Sequence, residues 1–347
     1  MRAVLFEDVG SLRIGDYPDP VVQEPTDAIV RVSTAAICGS DLHLLHGRIP
    51  GMRQGSVIGH EVVGTIEAVG DQVARFKAGD RVIASFLIGC GRCWFCAHGE
   101  FNGCESIAAL GYGLFTGDLD GAQAELVRVP VADLNLHAVD AALTDEQVVF
   151  AGDILTTAVY IAERARIRHG DVVAVIGAGP VGLFTLMACK AYGPERIYSI
   201  DYAQDRLALA ESLGAIPVDA TKVNPVVELQ RVTGERGADV VIECVGQPDA
   251  FTTALNAVRA GGTVAVIGVY AELGYDFPLG EIWRRAITIV MGGTCNVQAH
   301  WDRALSLVED GTIDPVPLIT HTLPLEEAIK GYQLFESREA LKVVLKP

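Results

Sequence analysis

VVAVIGAGPVG, residues 172–182, decides the fold of this chain. Val172 to Ile176 run without a polar break into Gly177. Gly179 and Gly182 then complete a G-x-G-x-x-G spacing that opens an apolar helical pattern, VGLFTLMACKAY. A short β-branched run lacking polar alternation predicts a strand covered on both faces, as in a parallel sheet. In such a strand–turn–helix unit the first glycine permits the tight turn and the second lets backbone approach a pyrophosphate. The third lets helix and strand pack closely while the helix N-terminus faces the anion. The spacing therefore predicts a dinucleotide site at Gly177, Gly179 and Gly182, with Pro180 and Val181 between them.

Working outward, strand-like and helix-like segments alternate: RIYSID (196–201), DRLALAESLG (205–214), ADVVIECVG (238–246) and GGTVAVIGVY (261–270). That alternation is the signature of an α/β doubly wound sheet. Asp201 closes the second strand, 24 residues after Gly177. A carboxylate there accepts hydrogen bonds from the adenosine ribose and repels a 2′-phosphate, which favours NAD over NADP. Its competing role is to cap the helix that starts near Ala203, and Arg206 stands close enough to receive a 2′-phosphate instead.

Upstream, residues 1 to about 150 hold short β-type runs, AIVRVST (28–34), GTIEAVG (64–70), DRVIAS (80–85) and AELVRVP (124–130), divided by Gly, Pro and Asp. They predict a mainly β, loop-rich domain. After about 296 a helical stretch, WDRALSLVEDG, leads to a strand-like end, ALKVVLKP. We assign 1–152 and 297–347 to this domain and 153–296 to the doubly wound one. A chain of 347 residues, half of them apolar, is long enough for two cores.

Composition narrows the function. The 44 acidic and 27 basic side chains give a formal charge of −17, which disfavours nucleic acid and anionic membrane as partners. No apolar run approaches the roughly 20 residues of a membrane-spanning helix, and MRAVLFEDVG does not resemble an export signal, so a soluble, cytoplasmic protein is expected. Four of the eight cysteines, Cys90, Cys93, Cys96 and Cys104, crowd into one short lobe, about 89–105. Four thiolates at this spacing can enclose a tetrahedral zinc and leave no open position, which predicts a structural site. An iron–sulfur cluster is the competing reading.

Three further segments place Cys38 in AICGSDLH, His60 in GHE and Asp153 in AGDILTT. An open catalytic zinc needs about three Cys, His or carboxylate ligands, and these residues supply them. Taken singly each has a plainer role: Cys38 as a small core residue, His60 as a loop histidine, Asp153 as a helix N-cap.

GHEVVGTIEAVG (59–70), the four-cysteine lobe, AGDILTTAVY (151–160), GAGPVG (177–182) and Asp201, in that order, resemble the zinc-containing medium-chain alcohol dehydrogenase family along essentially the whole chain. The resemblance implies a GroES-like catalytic domain joined to a Rossmann domain, and two zinc ions per chain. It implies Cys38, His60 and Asp153 as catalytic-zinc ligands, with Glu61 able to approach the metal. Ser40 would take the alcohol proton and pass it through the cofactor ribose to His43. Thr157 and Val269 would border the nucleotide, Lys342 would meet its pyrophosphate, and Ser40, Phe86, Tyr112 and Ile154 would surround the substrate oxygen.

Asp153 departs from the many members that carry cysteine there and is similar to the bacterial secondary-alcohol dehydrogenases. The expected function is hydride exchange between NAD and an uncharged small-molecule alcohol or its carbonyl partner, in a homo-oligomer, tetrameric or dimeric. A polyol, amino-alcohol (threonine-type) or formaldehyde dehydrogenase on the same framework is the alternative. A non-catalytic NAD- and zinc-binding subunit is disfavoured by the intact Cys38, Ser40, His43, His60 and Asp153.

Overall fold

The computed structural model describes residues 1–270 and 274–347. Two compact units emerge: Met1–Thr156 with Asn296–Pro347, and Thr157–Cys295. The first boundary falls inside the helix Ile154–Arg164, so Asp153 and Ile154 lie in the first unit rather than opening the second.

In the first unit, strands Ile319–Pro324, Lys342–Lys346, Ala28–Ile37, Glu61–Val69, Arg81–Ala84 and Leu136–Ala138 lie side by side in that order, and Leu126–Val129 pairs with the start of Ala28–Ile37. Only the first pair is parallel. Val30, Val32, Val62, Ile66 and Val82 pack into one core, while Ile37, Val343, Leu345 and Tyr332 pack into another. Two registers bring distant residues together: Ala36 faces Glu61, and Ile37 faces Val343. Residues far apart in sequence therefore arrive at one end of this sheet.

The second unit is a six-stranded, all-parallel sheet in the order Ile216–Asp219, Arg196–Asp201, Val172–Ile176, Ala238–Glu243, Val258–Val266, Thr288–Met291. Every residue of Val172–Ile176 is buried, and each of its Val and Ile side chains contributes roughly 1.5–3 kcal/mol by leaving water. Helices Pro180–Lys190, Gln204–Ser212, Pro225–Val232, Pro248–Ala257 and Leu279–Arg284 follow the strands. The strand read from GGTVAVIGVY stops at Val266: Ile267 N makes the last ladder bond to Glu243 O (2.9 Å), and Gly268 N falls on the same carbonyl (3.2 Å) instead of continuing the ladder.

Candidate functional site

Cys38 follows the strand Ala28–Ile37 and forms the N-cap of the helix Gly39–Leu45; its backbone N–H donates to Asp41 Oδ2 (3.0 Å) in a capping-box arrangement. His60 immediately precedes Glu61, the first residue of the neighbouring strand. Asp153 enters from the turn before Ile154–Arg164, where Gly152 O accepts from Phe86 N (3.0 Å). Cys38 Sγ lies 3.5 Å from Asp153 Oδ2, which is 3.2 Å from His60 Nε2. All three ligand atoms fall within 4.8 Å of one another, and none of the residues is more than 8% exposed.

Such a convergence of acceptors is unfavourable by itself. Burial, then the charges of Asp153 and Glu61, pushes the Cys38 thiol up. Burial works to lower the His60 pKa, but the carboxylates of Asp41 and Asp153 and the Tyr112 phenol carry it well above its usual value. Zinc accepts such a donor set, a sulfur, a ring nitrogen and a carboxylate oxygen facing one point, and a divalent cation removes the electrostatic conflict. His60 Nδ1 faces Asp41 Oδ1 at 3.2 Å, an ion-pair distance without hydrogen-bond alignment, which leaves Nε2 turned toward the other two ligands. Asp41 is in turn met by Gln123 Nε2 (3.3 Å), and Gln123 Oε1 accepts from the Tyr332 hydroxyl (2.9 Å).

Glu61 is fully buried. One carboxylate oxygen pairs with Lys342 Nζ, and Oε1 has no hydrogen-bond partner among the described residues. Burial raises its pKa to about 7 despite the lysine. The expectation that Lys342 meets a pyrophosphate is corrected here: its side chain is 0% exposed and its ammonium is held by Glu61 and Ile37 O (2.7 Å). Ser40 Oγ is 3.3 Å from His60 Nε2, and His43 follows one turn later on the same short helix. Burial, then the neighbouring Arg48 guanidinium and His46 side chain, lowers the His43 pKa. Tyr112 and Phe86 place their rings 5.2 and 6.0 Å from that of His60, and Ile154, 3% exposed, adjoins Asp153.

Cys90, Cys93, Cys96 and Cys104 bring their sulfurs within 4.8 Å of one another, all as free thiols. Backbone N–H groups of Cys96 and Glu105 lower the Cys93 pKa to about 6, favouring the thiolate a metal requires. Side-chain amides hold the lobe: Asn135 bonds both N and O of Gly89 (3.0 Å each), and Asn296 bonds Phe101 N (3.1 Å) and Gly99 O (2.7 Å).

In the second unit Gly177 has φ +94°, and a Cβ on Gly182 would stand 1.7 Å from Gly177 O. Gly179 has open space in front of it: among the described residues, a Cβ there would meet Arg206 Nη1 at 3.8 Å and nothing else within 4 Å. Pro180 and Val181 form the first turn of the following helix. Asp201 accepts from backbone N–H groups with both carboxylate oxygens. Its Oδ1 accepts from Tyr202 N (2.7 Å) and Ala203 N (2.9 Å) at the next helix start, and its Oδ2 accepts from Ala178 N (2.6 Å) within the glycine turn. Thr157 is half-buried at the start of this unit, and Val269 is exposed after the fifth strand. Sequence reading passed over Asp41, Gln123, Tyr332 and Glu243. Only Asp41 carried a signal, its capping-box spacing from Cys38.

The comparisons agree with this geometry. Residues 24–139 match the alcohol dehydrogenase GroES-like domain and residues 180–310 the zinc-binding dehydrogenase domain. A zinc-type alcohol dehydrogenase-like protein of Bacillus subtilis, AdhB, is 37% identical with all of both chains covered. Among solved structures, the alcohol dehydrogenase TADH from Thermus sp. ATN1 superposes with a TM-score of 0.96 at 44% identity, covering 100% of this chain and 99% of that one. A putative zinc-binding dehydrogenase from Sinorhizobium meliloti bound to NADP gives 0.86 at 29% identity, over 100% and 99%. Among the described residues no helix is long and apolar enough to cross a membrane. The chain belongs to the zinc-containing medium-chain alcohol dehydrogenase family, with GroES-like and Rossmann-like domains, and is an oxidoreductase acting on small-molecule alcohols and their carbonyl counterparts.

Proposed function

We propose that this enzyme exchanges hydride between NAD and an uncharged primary or secondary alcohol, with one catalytic and one structural zinc per chain. The observation that carries the reading is the convergence of Cys38, His60 and Asp153 within 4.8 Å beside Ser40, Phe86, Tyr112 and Ile154, none of them a cation. A substrate carboxylate or phosphate buried there would lack the Arg or Lys it needs, at a cost of several kcal/mol.

Cys38, His60 and Asp153 hold the catalytic zinc, and Cys90, Cys93, Cys96 and Cys104 hold the other. A bound zinc supplies Lewis-acid polarisation of the alcohol oxygen, and bound NAD supplies the hydride acceptor. Ser40 Oγ, beside His60 Nε2, takes the alcohol proton, and His43 delivers it to water. Asp41 fixes the His60 ring so that Nε2 serves the metal. Glu61, with one oxygen unpaired, is the acid that can approach the metal. Gly177, Gly179 and Gly182 receive the pyrophosphate at the start of Pro180–Lys190, and Arg206 reaches the same space. Asp201 excludes a 2′-phosphate. We assign a cytoplasmic location and a homo-oligomeric state, tetramer or dimer.

The test is a panel of uncharged and anionic alcohols assayed with NAD and NADP. Turnover with uncharged alcohols and a higher kcat/KM for NAD are expected. A preference for an anionic substrate overturns the substrate reading. A preference for NADP, or no relaxation of cofactor choice in Asp201→Gly, overturns the role of Asp201.

A further inference from the structure

One fully buried carboxylate takes no part in metal binding or proton transfer. Glu243 closes the strand Ala238–Glu243, next to Val172–Ile176, and is 0% exposed. Its Oε1 accepts from Val245 N (2.6 Å) and Gly246 N (2.8 Å), and its Oε2 accepts from the Tyr270 hydroxyl (3.0 Å). Its backbone carbonyl accepts from Ile267 N and Gly268 N (2.9 and 3.2 Å). A single residue thus braces two turns, 244–246 and 267–270, which leave adjacent strands at their carboxyl ends. The turns are packed against each other: a Cβ on Gly246 would stand 2.2 Å from Val269 O.

The first of these turns also abuts the glycine motif. Cys244 N donates to Ile176 O (3.0 Å), and Val245 Cγ2 lies 2.7 Å from where a Cβ on Gly177 would be. In a doubly wound sheet of this strand order, the ligand lies outside the carboxyl ends of the strands where the order reverses, and each half of the sheet takes one half of a dinucleotide. Asp201, on the strand to one side of Val172–Ile176, belongs to the adenosine half. The turns braced by Glu243 lie on the other side, along the nicotinamide half.

We infer that Glu243 is a positioning residue for the nicotinamide half of the cofactor, holding turns 244–246 and 267–270 in the shape that walls it, with Tyr270 as the second anchor. The inference rests on the dinucleotide reading of the glycine motif. Alanine at 243 removes the acceptor of two backbone N–H groups and of the Tyr270 hydroxyl, which keeps its longer contact with Gln247 O (3.4 Å), whereas glutamine keeps an acceptor for the two backbone N–H groups and an amide to meet the tyrosine oxygen.

The experiment titrates the zinc-loaded, full-length enzyme with NADH and separately with ADP, which carries adenosine and the two phosphates but no nicotinamide half. Glu243→Ala should weaken NADH about tenfold or more while leaving ADP within about twofold. Glu243→Gln should recover most of the loss. Tyr270→Phe, a change at a half-buried side chain that removes one hydroxyl, should weaken NADH by about threefold and leave ADP unchanged. It keeps the question decidable if Glu243→Ala does not fold. Equal weakening of NADH and ADP, or full NADH affinity in the folded variants, overturns the positioning role. A wild-type enzyme that binds neither ligand overturns the dinucleotide reading itself, which separates the two failures.

Discussion

Two alanine substitutions within the glycine motif should separate folding from cofactor binding. At Gly182 a Cβ would lie 1.7 Å from Gly177 O and 2.8 Å from Gly177 C, where ordinary contact starts at 3.4 Å. Both obstructing atoms are backbone, so the helix Pro180–Lys190 must retreat by about 1.7 Å to make room. Overpacking of this kind costs about 3 kcal/mol, which lowers Tm by roughly 6–12 °C for a unit of this size. The displaced helix N-terminus loses charge-assisted hydrogen bonds to the pyrophosphate, worth about 1.5–3 kcal/mol each, so NADH should bind about tenfold or more weakly.

At Gly179 the backbone (φ −72°, ψ −178°) suits alanine, and the nearest atom is Arg206 Nη1 at 3.8 Å. Gly179→Ala should therefore cost only about 1 kcal/mol, its N-cap penalty, while its methyl occupies the space the pyrophosphate needs. Thermal unfolding and NADH titration read the two effects independently. Gly179→Ala with wild-type NADH affinity, or Gly182→Ala with wild-type Tm, would refute the reasoning.

Metal analysis should return two zinc ions per chain. Cys104→Ser should chiefly lower Tm, and His60→Ala should abolish turnover while NADH still binds; equal effects of both substitutions on both properties would contradict the division between the two sites. Asp41→Asn keeps the side-chain shape but removes the charge facing His60 Nδ1, so zinc affinity should fall by about 10- to 100-fold in chelator competition, and an unchanged zinc affinity counts against the role of Asp41. His43 must be neutral to accept a proton, and its pKa is lowered. The acid limb of alcohol oxidation should therefore lie below the usual histidine value of about 6.5, with kcat/KM falling as pH drops through it. His43→Ala should lose that limb and regain rate with added imidazole, and an unaltered pH profile would remove His43 from the proton path.

Some parts of this enzyme are written in contiguous sequence. The strand Val172–Ile176, the glycine turn and the helix after it lie within one short stretch, so steric and hydrogen-bonding rules of short range suffice to read them. The four-cysteine lobe is equally local. Cys38, His60 and Asp153 were legible only as separate donors joined by a resemblance. Their meeting depends on two strand registers and on the turn before Ile154, which no local pattern encodes. Lys342 shows the limit most clearly. As a sequence letter it is a surface cation available to a phosphate. Its partner Glu61 lies 281 positions away, and the pairing of Ile37 with Val343 beside that of Ala36 with Glu61 drives both side chains into the core. Gln123, Tyr332 and Glu243 belong with it. A buried polar group takes its role from the partners that satisfy it, and those partners are supplied by the tertiary fold.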